Sequence, residues 1–226
     1  MIDDVIDRRR ILQEEREFGS ASRSADFQSA INKAPHGGAL QKFTKMRLFA
    51  ASPSDMATER EKLDAIVASL KPLAEKQGLI LEVVDWRVVV PDAGRAQQVI
   101  FDQLKPTTWD IFIGILWHRF GSPTGAANPA TQKEYLSGTY EEFMTAYRLW
   151  EQFKQPRIMM YRCSRPIPPN ALDPDQFKRV NEFFGQFDGS KGEHPALYQS
   201  FDTVEDFERL LRENLQRVLL EYNETE

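Results

Sequence analysis

The stretch that most restricts the fold of this chain is Ile111–Leu116, reading Ile-Phe-Ile-Gly-Ile-Leu without a single charge. A run that short does not read as a buried helix, and a membrane span needs roughly 20 apolar residues. A strand covered on both faces fits it, which places it at the centre of a largely parallel sheet. The sequence then changes character abruptly to Trp117, His118, Arg119 and Gly121. In open α/β sheets, ligands bind just past the carboxyl end of a central strand. Trp117 and Arg119 are therefore expected to border any site.

Composition narrows the function. The chain has 226 residues, enough for one well-buried domain plus appendages. A net charge of -5 and the lack of a dense Lys/Arg patch argue against a nucleic-acid surface. One cysteine, Cys163, rules out an internal disulfide, and three scattered histidines offer no zinc-type ligand cluster. These features suit a reducing cytoplasm, with no metal and no resident cofactor expected. No segment is apolar enough to cross a bilayer, and the acidic start is unlike a secretory signal.

Residues 1–45 differ from the rest. Ile2–Phe18 is charge-rich, and Gly19–Lys45 is mostly Ser, Ala, Gly, Asn and Gln. They read as a disordered or loosely attached tail, or as one that docks on a partner. Met46, at the first convincing strand, is a candidate translation start. The domain is expected over residues 46–222.

Met46–Ala51 reads as a strand. Ser52 as N-cap, Pro53 at the first helical position and Asp55 closing a capping box predict a helix running to about Gln77. Pro72 is expected to kink or end it, with Gly78 as the C-cap. Leu79–Trp86 is a second strand, Arg87–Arg95 a loop and Ala96–Leu104 a helix. Past the central strand comes Gly121–Gly138, a loop longer than most connections. Thr139–Phe153 is a helix, with Thr139 and Glu142 at capping-box spacing. Arg157–Tyr161 is the fourth strand, and Asp173-Pro174 starts a helix carried on by Asp175–Phe187. Leu197–Phe201 is an edge strand, and Thr203 caps the last helix. Strand and helix alternate five times, which predicts a doubly wound five-stranded parallel sheet with helices on both faces. The expected order is the flavodoxin-like 2-1-3-4-5, which gathers the Ser52 turn, the Trp117–Arg119 corner and Glu142 at one edge.

Several chemistries are excluded by missing signatures. There is no GxGxxG after the first strand, no GxxxxGK[ST] and no GxSxG elbow. No aspartate ends the third strand, as a phosphorelay receiver would need. What remains is a set of polar residues at strand ends. Ser52 and Ser54 can offer hydroxyls and free N–H groups to a phosphate or ribose oxygen, or simply cap the helix. Arg87 and Arg95 flank the loop after the second strand and can meet phosphates or act as ordinary surface arginines. Trp117 can stack on a base or pack at the rim. Arg119 can hold a carboxylate or phosphate, or anchor Glu142. Glu142 has two possible roles: a helix cap, or a catalytic carboxylate that holds a ribose hydroxyl and stabilises an oxocarbenium-like cation. Glu141, turned about 100 degrees away, does not pair with it.

Two motifs carry a resemblance. Phe49–Leu63 reads FAASPSDMATEREKL, and the apolar third strand is followed by Trp117, Arg119, Gly121, Thr139 and Glu142. Together they resemble a TIR-like domain of unknown function found at the N-terminus of bacterial STAND-type NTPase proteins, over about residues 46–222. The resemblance implies a flavodoxin-like fold related to TIR domains and nucleoside deoxyribosyltransferases. It further implies an effector that cleaves NAD between nicotinamide and ribose, in antiphage defence, with Glu142 at the position of the catalytic glutamate. The alternative it implies is a non-enzymatic self-association module working with a STAND-type NTPase partner. Two features depart from the TIR pattern: Arg87–Arg95 does not match the TIR loop, and Gly121–Gly138 lengthens the spacing to the glutamate.

Overall fold

The structure, a computed structural model, describes residues 43–129, 131–189 and 192–222. The tail expected over residues 1–45 lies outside them except at its end. There the first strand is already under way, since β1 spans Thr44–Ala51. The order continues with α1 (Ala57–Lys76), β2 (Leu79–Val84), α2 (Ala96–Leu104), β3 (Ile111–Leu116) and α3 (Gly138–Phe153). It closes with β4 (Arg157–Cys163), α4 (Pro174–Gly185), β5 (Tyr198–Phe201) and α5 (Val204–Glu221). The strands form one sheet in the order β2-β1-β3-β4-β5, with every neighbouring pair parallel. This is the doubly wound, flavodoxin-like arrangement that the alternation predicts. No helix among the described residues is long and apolar enough to cross a membrane.

Side-chain alternation along the strands divides the core into two layers. Leu48, Ala50, Ile111, Ile113 and Ile115 meet α1 and α5 through Leu63, Ile66, Leu211 and Leu215. Phe49, Phe112 and Leu116 meet α2, α3 and α4 through Leu104, Phe143, Val180 and Phe183. Every residue of β3 is buried, as its uncharged sequence requires. Gly114 gives room on the second face: a Cβ there would lie 2.4 Å from Met160 Sδ. Just ahead of the strand, Trp109 stacks on Phe49 at a centroid distance of 3.7 Å.

Three local expectations are corrected. Ser52 does not cap α1, because its hydroxyl accepts instead from Arg60 Nε at 2.8 Å. A 3-10 turn, Ser54–Met56, leads into α1 at Ala57, and Asp55 turns away to another partner. Pro72 does not end α1, which continues to Lys76 with Leu70 and Ala74 buried around it. That burial holds the helix across the missing N–H. Finally, α3 is capped by Ser137, whose hydroxyl accepts from Tyr140 N at 3.0 Å. The helix therefore starts one residue earlier than Thr139, and Glu142 is not its capping-box partner. Gly78 at φ 68° behind α1, Asp173 before α4 and Thr203 before α5 act as their sequence contexts predict.

The exit from β3 is fixed by two side chains from different helices. Asp55 Oδ2 accepts from the backbone N–H groups of His118 at 3.3 Å and Arg119 at 3.1 Å. Gln176 on α4 accepts from Phe120 N at 2.7 Å and Gly121 N at 3.0 Å, and donates to Gly121 O at 3.1 Å. The long loop beyond is held near its end by buried Tyr135, whose hydroxyl accepts from Arg148 at 2.6 Å.

Candidate active site

The carboxyl edge of the sheet gathers ionisable groups, and they are sorted by face. On the α2–α3 side lies Glu142, 7% exposed, one turn into α3. Its Oε1 accepts from Gln97 Nε2 on α2 at 2.9 Å, and Oε2 accepts no hydrogen bond among the described residues. Burial pushes the Glu142 carboxyl up to about 8, opposed by the Gln97 hydrogen bond and the Arg60 charge. Glu141 and Asp85, both negative, push it the same way as burial.

Arg60, on α1, is the cation of this group and is almost fully buried. Its Nε donates to Ser52 Oγ, and its Nη2 donates to the carbonyls of Ser52 at 3.0 Å and Pro53 at 2.9 Å. Burial lowers its pKa while Asp85, Glu142 and Asp55 oppose that shift. Asp85 ends β2 at 1% exposure and accepts from Arg87 N at 2.8 Å, capping the 3-10 turn Trp86–Val88. That turn presents Trp86, 52% exposed, with the Arg60 guanidinium 5.8 Å from its ring centroid. Arg60, Asp85, Gln97 and Glu142 are thus buried polar residues gathered at this edge, with half-buried Ser52 hydrogen-bonded to Arg60 and Gln97 hydrogen-bonded to Glu142.

The residues singled out from sequence are placed as follows. Glu142 and Ser52 both lie at this edge, Glu142 bonded to Gln97 and Ser52 to Arg60. Ser54 is exposed in the turn before α1 and makes no side-chain hydrogen bond among the described residues. Arg87 is occupied by Asp85, 2.6 Å away, and Asp64, 3.2 Å away, and these partners raise its pKa. Arg95 holds Glu141 through two 2.8 Å bonds, a bidentate pair that turns Glu141 away from Glu142.

Trp117 and Arg119 stand apart from the glutamate. Trp117 packs on the opposite layer, against the α1 and α5 core, and its indole N–H donates to Arg165 O at 3.0 Å. The Arg165 guanidinium lies 4.8 Å from that ring and pairs with buried Glu59 at 2.7 Å. Arg119 is exposed, and its side chain makes no hydrogen bond or ion pair among the described residues, so the Arg119–Glu142 pair is not formed. No group of three or more His, Cys, Asp or Glu among the described residues is arranged to hold a metal ion.

Sequence reasoning missed Arg60, Asp85, Gln97 and Trp86 as site residues. Asp85 and Trp86 had a usable signal, since they end an apolar strand at the same edge as Trp117. Gln97 had one too: it sits at helical spacing from Phe101 and Leu104, so it lies on the face that α2 buries. Arg60 had none beyond its place in the Phe49–Leu63 motif.

No family model and no curated protein matches the chain. Among solved structures it is similar to a conserved protein from Enterococcus faecalis V583, with 10% identity and a TM-score of 0.35. That match covers 76% of this chain and 99% of the other. It is also similar to a mutant of the PilB minor pilin from Streptococcus sanguinis, at 10% identity and a TM-score of 0.36. Here 82% of this chain is covered and 64% of the pilin. Likenesses of that size do not bear on function.

Proposed function

We propose that this chain hydrolyses the N-glycosidic bond of NAD or a closely related nucleotide, with Glu142 as the catalytic carboxylate. The observation that carries the reading is the state of Glu142. It is a buried carboxylate at the carboxyl edge of the sheet, where open α/β folds bind ligands, held by one amide, with a pKa raised to about 8. A carboxylate that is costly to ionise alone gains most from a cation brought beside it. The pyridinium ring of NAD is such a cation, and cleavage moves its positive charge onto the ribose. The bond between ribose C1′ and the ring nitrogen breaks, and its electron pair leaves with neutral nicotinamide. Glu142, ionised, faces the oxocarbenium-like carbon until water adds there and releases one proton.

The other residues have supporting parts in this scheme. Arg60, fixed by Ser52 and the Pro53 carbonyl, supplies positive charge for the substrate's phosphates. Trp86 offers an exposed aromatic face for a base, one of the two roles that the sequence left open for Trp117. The resemblance to TIR-like domains supports an effector role in antiphage defence, in the cytoplasm and alongside a STAND-type NTPase.

The test is nicotinamide release from NAD by concentrated protein, including a forced oligomer. Wild type is expected to turn over and Glu142→Gln is not. Because the free enzyme must ionise a group titrating near 8, kcat/KM is expected to rise with pH up to about 8. The acid limb of kcat lies lower, since the bound cation favours the ionised form. A flat profile across pH 6–9 argues against Glu142 as the reacting group.

A second reading, a non-enzymatic self-association module, draws on one observation. Trp86, Val88 and Val90 are 52%, 60% and 67% exposed along the loop after β2. It predicts no turnover in any assembly state, and self-association that Val88→Asp abolishes and Glu142→Gln leaves intact.

A further inference from the structure

The contact between α2 and α3 has a feature that packing alone does not require. Gln97 is 6% exposed and lies on the face that α2 buries, where an apolar side chain would be the simpler choice. Its amide N–H₂ donates to Glu142 Oε1 at 2.9 Å, across the gap between the two helices. The other end of the same amide lies against Gly138, the first residue of α3. A Cβ at Gly138 would stand 2.9 Å from Gln97 Oε1 and 3.8 Å from its Cδ. Gly138 does not have a left-handed backbone, so conformational freedom does not account for glycine there. An alanine would also suit the start of a helix better. What glycine provides is room for the amide.

We propose that Gln97 is the positioning residue of the catalytic glutamate, aiming Glu142 by an amide hydrogen bond for which Gly138 leaves the space. The consequence for turnover rests on the glycosidase reading, but the contact itself does not. With Oε1 held by Gln97, the carboxylate is oriented and keeps Oε2, which accepts no hydrogen bond among the described residues, for a ligand. The donated N–H also favours the ionised form, the form that meets a developing cation. Without that donor, Glu142 is both less ionised and free to rotate.

The experiment uses the full chain in three forms: wild type, Gln97→Met and Gly138→Ala. Gln97→Met keeps the side-chain volume and removes the donor. Gly138→Ala keeps the donor and pushes the amide aside, without a folding penalty from helix propensity. The first readout is the Glu142 carboxyl titration by carbon-13 NMR, assigned by its loss in Glu142→Gln. Its midpoint is expected to rise by about one pH unit in Gln97→Met, and by less in Gly138→Ala. The second readout is nicotinamide release from NAD. There kcat is expected to fall about tenfold or more with KM little changed, and its acid limb to move alkaline with the NMR midpoint. An unmoved midpoint in both variants overturns the proposal, whatever turnover does. If wild type releases no nicotinamide and the midpoint still moves, the positioning contact stands and the glycosidase reading falls. If kcat falls while the midpoint and the pH profile stay fixed, Gln97 is structural and the proposal is overturned.

Discussion

At the scale of single residues, two buried ionisable groups decide what the edge of the sheet can do. Glu142 titrates near 8 in the fold, against an ordinary 4.5. The native state therefore keeps a proton that the unfolded chain releases between those values. Its contribution is undiminished below about pH 4.5, declines as pH rises, and is spent above about 8. Glu142→Gln is accordingly expected to match wild type in thermal stability at pH 4.5. By pH 8–9 it should be the more stable, by on the order of a few kcal/mol. Equal unfolding temperatures at both pH values would contradict the burial. Arg60 is the counter-case, a buried cation whose removal leaves the Ser52 hydroxyl and the Ser52 and Pro53 carbonyls without their donor. Arg60→Met is expected to lower stability by roughly 1–3 kcal/mol in urea unfolding. A loss under 1 kcal/mol would show that its charge is not needed there. The location of Glu142 at this edge was legible from its place after the third strand. Its neighbours were not, because Arg60 and Gln97 reach it from elements far away in sequence.

The elements meet at clamps, and there local signals were read correctly as chemistry but misassigned in geometry. Ser52, Pro53 and Asp55 have the spacing of a capping box, yet the two side chains serve tertiary partners. Ser52 receives Arg60, and Asp55 receives the N–H groups of His118 and Arg119. A buried guanidinium and the backbone amides at the strand exit compete for those oxygens, and a helix end close to water can satisfy its own N–H groups elsewhere. Thr139 and Glu142 repeat the lesson, since Ser137 takes the capping role and frees Glu142 to face α2. Asp55→Ala therefore removes the tie between the start of α1 and the exit of β3, with an expected loss of about 1–3 kcal/mol. Ser54→Ala, one residue away and exposed, should stay within about 0.5 kcal/mol. Equal losses in the two variants would mean that the turn itself matters and the clamp does not.

For the molecule as a whole, the architecture was readable because it follows from patterns that nothing overrides. An uncharged β3 demands cover on both faces, five strand–helix alternations demand right-handed crossovers, and the order 2-1-3-4-5 satisfies both. The site was only partly readable, since which residues share an edge follows from the topology while which side chains touch does not. Trp117 shows the difference. It stands at the exit of β3 as expected, but the pleat of the strand sends it to the α1 and α5 layer, across the sheet from Glu142. Trp86, just past β2 and two strands away in the sheet, is the exposed aromatic of this edge. The central claim is that this edge breaks a nucleotide's glycosidic bond through Glu142. The most direct measurement is nicotinamide released from NAD by wild type and by Glu142→Gln, both shown folded, at dilute concentration and as forced oligomers. The account predicts release by wild type in at least one assembly state and none by the variant. Equal release from the two, or none from wild type in any state, would contradict it.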